Sequence, residues 1–167
     1  SATAGAAAGN YSLEVQTLAQ AHKLKSGSFT NTSDTVGTGT LTIQFGTYSG
    51  GSFSLNADKA TATIAIDSSK SSLAGVRDAI NAANAGVSAS IVNDGSGNRL
   101  VIASKDSGVA NALKISVADD DADNTNNAGL SQLVYDASTG GTTNLTQTVA
   151  AQNAVAGVVT CQLDPDG

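Results

Sequence analysis

The feature that most constrains this chain is a change of hydrophobic period partway along it. In Thr40–Phe45, Leu41, Ile43 and Phe45 fall at every second position, and in Thr61–Ile66 so do Ile64 and Ile66. A two-residue repeat puts those side chains on one face of a strand. The step then lengthens to three and four. Leu73, Val76, Ile80 and Ala83 form one stripe along a helix. Past Gly86 the strand signal returns in Val87–Val92, and Arg99–Ala103 reads as a strand coming back after the Gly-rich turn Asn93–Asn98. Strands joined by short turns around a single helix predict an α+β fold, mostly β. It is built from antiparallel hairpins with one main amphipathic helix at about 72–84.

The rest of the chain fits this plan. Ser1–Asn10 is small and polar and reads as a linker. Tyr11, Leu13 and Val15 alternate as one face of a strand, and Ala19–Lys25 continues as a strand or a short helix. Gly27–Gly39, rich in Ser, Thr and Asn, marks a candidate boundary. Gly50-Gly51 is a turn from which Ser52–Leu55 pairs back. Ser71 or Ser72 caps the start of the helix, and Asn84 and Gly86 suit its left-handed end. Leu113–Val117 is a strand, Asp119–Asn127 a polar loop, Ala128–Tyr135 ambiguous, and Val149–Val159 a final strand. That makes about seven to nine strands. Neither end carries the sustained heptads of a coiled coil.

Composition limits what these elements can pack. Aromatic residues are 4% and there is no Trp or Met, so the core must come from Val, Ile, Leu and Ala. Charged residues are 13%, against roughly a quarter in an average domain. Disorder is disfavoured, because 40% of residues are hydrophobic and they recur periodically. A net charge of −6 argues against nucleic acid and anionic lipid as partners. No apolar run approaches the roughly 18 residues a membrane span needs, and the start of the sequence has no signal-peptide pattern.

Residues able to do chemistry stand apart from one another. His22 lacks an orienting partner in sequence and reads as a surface histidine beside Lys23 and Lys25. Cys161 has only Thr160 and Gln162 beside it, so no activating group, and reads as an inert thiol or one that dimerises on oxidation. Asp119, Asp120, Asp121 and Asp123 faintly resemble a calcium loop. Asn124 and Leu130 stand where such a loop needs Gly and an acid, so the cluster reads as a solvated turn, with a weak cation site as the alternative. Gly95 and Gly97 lie between strands, which suits a hairpin and not a phosphate loop. Tyr48, Phe53 and Tyr135 read as core residues more than as exposed anchors. No catalytic, cofactor-binding or metal-binding residue is assigned, and the expected cofactor set is empty.

The stretch SLAGVRDAINAANAGVSASIVNDGSGNRLVIAS, residues 72–104, resembles the flagellin hook IN motif, whose Ile-Asn pair is Ile80-Asn81 here. YSLEVQTLAQAHKLKSGSF upstream, then GTGTLTIQFG, ADKATATIAID, GLSQLVYD and NLTQTVAAQNAV, are similar in order to the flagellar filament cap family, from about Gly9 to Val155. The tail 157–167, with Cys161, departs from that pattern. The resemblance implies a non-enzymatic structural subunit at the flagellum tip, outside the cell, exported by the flagellar type III apparatus without a cleaved signal peptide. It implies self-association into a ring and contact with flagellin, with host mucin or glycans as a further partner. Another axial protein of the hook or junction, or a β-rich adhesin or phage tail module, is the alternative. It further implies two head domains without their coiled-coil legs. An inserted domain at 36–146 would carry the motif, and a discontinuous host domain would use 9–35 and 147–167. Small side chains and the lack of disulfides suit export of an unfolded chain.

Overall fold

The computed structural model describes residues 10–12, 14–156 and 160–162. The expected linker at Ser1–Asn10, Leu13 and the atypical tail therefore lie wholly or mostly outside the described residues, as does the side chain of Cys161. The described strands are β1 (Asn10–Ser12), β2 (Val15–Thr17), β3 (Ala21–Lys25), β4 (Gly39–Ser49), β5 (Ser52–Leu55), β6 (Ala62–Ile66), β7 (Val87–Asn93), β8 (Asn98–Ser107), β9 (Ala112–Asp119), β10 (Thr146–Val149), β11 (Val155–Ala156) and β12 (Thr160–Gln162), and one helix, α1 (Leu73–Ala82), lies between β6 and β7. This is the expected α+β, mostly β fold, and every strand pairing is antiparallel. No described helix is long and apolar enough to cross a membrane.

Two four-stranded sheets hold most of the chain. In one, β4 is the spine. Its Gly39–Gly46 stretch pairs with β9 along one edge, while the other edge is shared by β6 at Gly39–Ile43 and β5 at Gly46–Ser49. The second sheet runs in the order β10, β3, β8, β7. The apolar faces read from the sequence point inward. Leu41, Ile43, Phe45, Ile64 and Ile66 are buried with Leu24, Leu100, Ile102, Leu113 and Ile115 in one cluster. Leu73, Val76 and Ile80 of α1 complete that cluster at zero exposure. Burying one such side chain is worth about 1.5–3 kcal/mol, so the cluster carries much of the fold's stability.

Several expectations are corrected. Ala83 is not part of the buried stripe. The helix ends at Ala82 and Ala83 is its exposed C-terminal cap. Val15 does not face a core: among the described residues β2 pairs with β11, and Val15 is 52% exposed. The final strand is not continuous. β10 stops at Val149, an isolated bridge joins Gln20 to Gln152, and the next described strand is β11 at Val155–Ala156. Ala128–Tyr135 resolves into a 3-10 turn at Gly129–Leu133 that buries Leu130 and Leu133. The Ser/Thr/Asn-rich stretch 27–39, read as a candidate boundary, contains the buried side chains of Phe29 and Val36.

The chain's two flanks run side by side. Among the described residues β1 pairs with β12, β2 with β11 and β3 with β10, a series of three separate antiparallel pairings.

Candidate functional site

The helix–hairpin unit of α1, β7 and β8 is the part of the structure with the most specific polar geometry. Ser72, and not Ser71, caps α1, its Oγ accepting from the Gly75 N–H at 3.1 Å. Asn84 and Gly86 both take the left-handed backbone expected after the helix, at φ 48° and 72°. The Ile-Asn pair divides its work between two faces of the last helical turn. Ile80 enters the core. Asn81 turns the other way and clamps the backbone of Ala89, donating from Nδ2 to its carbonyl at 2.8 Å and accepting its N–H on Oδ1 at 2.9 Å. β7 is an edge strand of its sheet, so the amide occupies backbone groups that an added strand would otherwise take. Asn81→Ala should cost about 1 kcal/mol, since the two freed groups lie close to solvent. Amide exchange at Ala89 is the direct check: it should speed up while the exchange of core amides in β4 holds.

The turn Asn93–Asn98 is a hairpin, as its flanking strands suggest, and it also receives another segment. Asp94 Oδ1 accepts from the Ser96 N–H and hydroxyl, and Arg99 donates from Nε to Asp94 Oδ2. These hydrogen bonds hold the Asp94 carboxyl well below the usual carboxylate range. Arg99 reaches on to the Ser26 carbonyl, and Ser26 Oγ accepts from the Leu100 N–H at 2.9 Å. Phe29 and Asn98 exchange backbone hydrogen bonds at 2.8 and 2.7 Å, and Ser28 Oγ donates to the Ser96 carbonyl. A Cβ on Gly97, at φ 144°, would stand 2.1 Å from Ser28 Oγ and 2.9 Å from the Phe29 carbonyl oxygen. Residues 26–30 thus lie against the turn as closely as backbone allows. Nothing in their polar composition announces this; the one local signal is a lone Phe29 among Ser and Thr.

His22 is not a surface residue. It is 2% exposed, and Nδ1 accepts the Leu113 N–H at 2.8 Å. Its ring also meets Tyr135 edge-on at 5.4 Å. A signal for this exists in the sequence, because His22 and Leu24 share a strand face while Lys23 and Lys25 take the other. Tyr135 is buried, and Tyr48 and Phe53, both half-buried, stack with centroids 4.8 Å apart, with Lys114 5.4 Å over the Phe53 ring. The three aromatics therefore pack against protein, as read from the sequence.

The acidic loop is tied into its own turns. Asp123 Oδ1 accepts from the N–H groups of Thr125 and Asn126, Asp121 Oδ1 from the Asp123 N–H, and Asp119 Oδ2 from the Ser131 N–H. The Asp123 carboxyl is lowered by those bonds. Among the described residues no three His, Cys, Asp or Glu side chains form a group suited to a metal ion. Exposed apolar side chains gather along the paired flanks, at Val15, Leu18 and Val155. Among the described residues, no nucleophile, base and oxyanion donors are brought together.

Known proteins resemble the chain in both sequence and fold. The family described as the flagellin hook IN motif matches residues 48–106, which encloses the stretch 72–104. Flagellar hook-associated protein 2 of Escherichia coli strain K12 is 43% identical over 157 residues, covering 91% of this chain and 30% of that protein. B-type flagellar hook-associated protein 2 of Pseudomonas aeruginosa is 39% identical over 142 residues, covering 83% of this chain and 27% of that protein. Among solved structures, the D2-D3 domains of the flagellar cap protein FliD from Escherichia coli superpose with a TM-score of 0.73 at 41% identity, covering 94% of this chain and 72% of that one. The chain thus spans under a third of the length of these curated relatives.

Proposed function

This chain belongs to the flagellar cap protein family, that of hook-associated protein 2, and from that premise we propose that it forms the head region of a filament cap subunit. The observation that carries the reading is the shared fold at 41% identity with the D2-D3 domains of a flagellar cap protein. In this reading the subunit sits outside the cell at the flagellum tip, reaches it through the flagellar export apparatus, associates with copies of itself, and promotes assembly of flagellin beneath it. Its role is structural, with rigid sheet faces and strand edges supplying contacts, and it catalyses no reaction. No feature of the described residues argues for the mucin or glycan contact.

Two head domains belong to the same proposal. The resemblance implies one inserted at about 36–146, which carries the helix–hairpin unit, and another built from 9–35 and 147–167; we revise these bounds from the strand pairing. Pairing of β1 with β12 and β2 with β11 supports two flanks that meet. Because β3 also pairs with β8, we place β3 and β10 with the inserted domain. The junction then lies near residues 18–20 and 150–154.

An in-frame deletion of this region from the full-length gene tests the function. Short or absent filaments by electron microscopy and a lost swarming halo are expected. Filaments of normal length, with the truncated protein present at the tip, would overturn the reading.

A further inference from the structure

His22 lies where the two sheets meet. It belongs to β3, at the point where the register of β3 against β8 shifts between Ala21 and Lys23. Such a bulge re-aims the side chain that sits on it. The imidazole crosses to the other sheet, where Nδ1 accepts the backbone N–H of Leu113 in β9. The ring packs edge-on against Tyr135, whose hydroxyl donates to Gln147 Oε1 on β10 at 2.6 Å, and Gln147 lines the same cavity as the imidazole. One imidazole therefore bridges β3 and β9 and packs against the segment after the 3-10 turn.

We propose that His22 is an acid-sensitive latch between the two sheets: neutral, its Nδ1 holds the backbone of β9 against β3, and protonated, it releases it. The argument is one of donors and acceptors. A neutral imidazole offers one acceptor nitrogen, and Leu113 uses it. An imidazolium offers none, so its Nδ1–H would face the Leu113 N–H, donor against donor, in a site with 2% exposure.

The surroundings give the cation no counter-charge. A cavity of about 210 Å³ beside the ring is lined by Thr47, Tyr48, Val109, Ala112 and Gln147, with Ala150 and Ala151 at its mouth. The titratable groups facing the imidazole are the phenols of Tyr48, from β4, and Tyr135; burial pushes both up, so both stay neutral. On the adjoining elements, Lys114 of β9 is paired with Asp136, and Asp106 of β8 with Lys59. Lys105 of β8 and Lys23 are exposed, Lys25 is half-buried, and β10 has no charged residue. Burial holds the His22 imidazole below its ordinary value of 6.5. A depressed folded-state value means the unfolded chain binds the proton more readily. The latch's contribution is complete above about pH 6.5 and is lost as pH falls toward the lowered value.

His22 is the chain's one histidine, so its ring resonances can be followed without ambiguity. The expected NMR titration midpoint lies below 6.5, and over the same interval the Leu113 amide loses exchange protection. The unfolding constant should rise by up to about tenfold per pH unit in that window. His22→Asn, whose Oδ1 can accept the Leu113 N–H but does not titrate, should abolish the pH dependence between about pH 5 and 7. A wild-type midpoint at or above 6.5, Leu113 protection unchanged through the ring's titration, or the same pH dependence in His22→Asn would each overturn the latch. The wild-type titration decides alone if the variant does not fold.

Discussion

Replacing Ile80 with Ala should lower the unfolding free energy by about 2–5 kcal/mol, read from the midpoint and slope of a urea transition. Ile80 is fully buried with Leu73 and Val76 in the central cluster. The neighbours that would have to close the space are mostly branched aliphatic side chains on two sheets pinned by their own ladders. The rings in that cluster, Phe29, Phe45 and Tyr135, are each held by a strand or bridge of their own and are not free to swing into the gap. Its sequence neighbour makes the internal control. Asn81→Ala removes a comparable number of atoms but should cost only about 1 kcal/mol, because it opens a clamp at the surface and no cavity. Equal losses at the two positions would show that the motif's two residues do not divide their work between core and edge.

Gly97→Ala should cost about 1–3 kcal/mol in backbone strain alone, with a further penalty for displacing residues 28–29. Ser28 can rotate its hydroxyl away from the new methyl group. The Phe29 carbonyl cannot yield so cheaply, because it accepts the Asn98 N–H at 2.7 Å and lies in the bridge that holds Phe29 in place. Gly95, in the same turn at φ 86°, has no atom within 4 Å of where an added methyl group would stand, so Gly95→Ala should cost only about 1 kcal/mol. Hydrogen exchange separates the two effects. Amide protection at Phe29 and Asn98 should fall in Gly97→Ala and persist in Gly95→Ala. Retained protection in both variants would mean that residues 26–30 do not depend on the close approach at Gly97.

Local pattern carries a great deal in this chain. Leu41, Ile43 and Phe45 declare the inner face of β4, and the spacing of Leu73, Val76 and Ile80 places α1 to within a residue or two. The local hairpins of β4 with β5 and β7 with β8 show in the turn residues between them, and the distant pairings do not. β4 runs on to Ser49 because β5 folds back on it, and its other edge takes β9, more than sixty residues away; alternation within one strand says nothing about such partners. Val15 alternates like a core strand yet is exposed, because alternation does not say whether another layer will cover the face. The Ile-Asn pair is legible as a motif but not as a mechanism, because the clamp on Ala89 depends on where the edge of a sheet falls. His22 is half legible: alternation puts it on the face of Leu24 although flanking lysines suggest solvent, but its partner is a backbone N–H contributed by a distant strand, and backbone groups leave no mark in a sequence.

The side-by-side course of the two flanks has a mechanical meaning. Tension drawn along β1 and β12 together would pull from the open end of a series of antiparallel pairings, in the manner of a zipper. The rungs are then loaded one after another, from Asn10 and Gln162 toward Lys25 and Thr146. Only small forces are needed to part rungs in sequence, and the short pairs at β2 and β11 yield before the sheets behind them are stressed. Such an attachment works as a compliant strap: neighbouring parts of the protein can shift while the core built on β4, β8 and α1 keeps its shape.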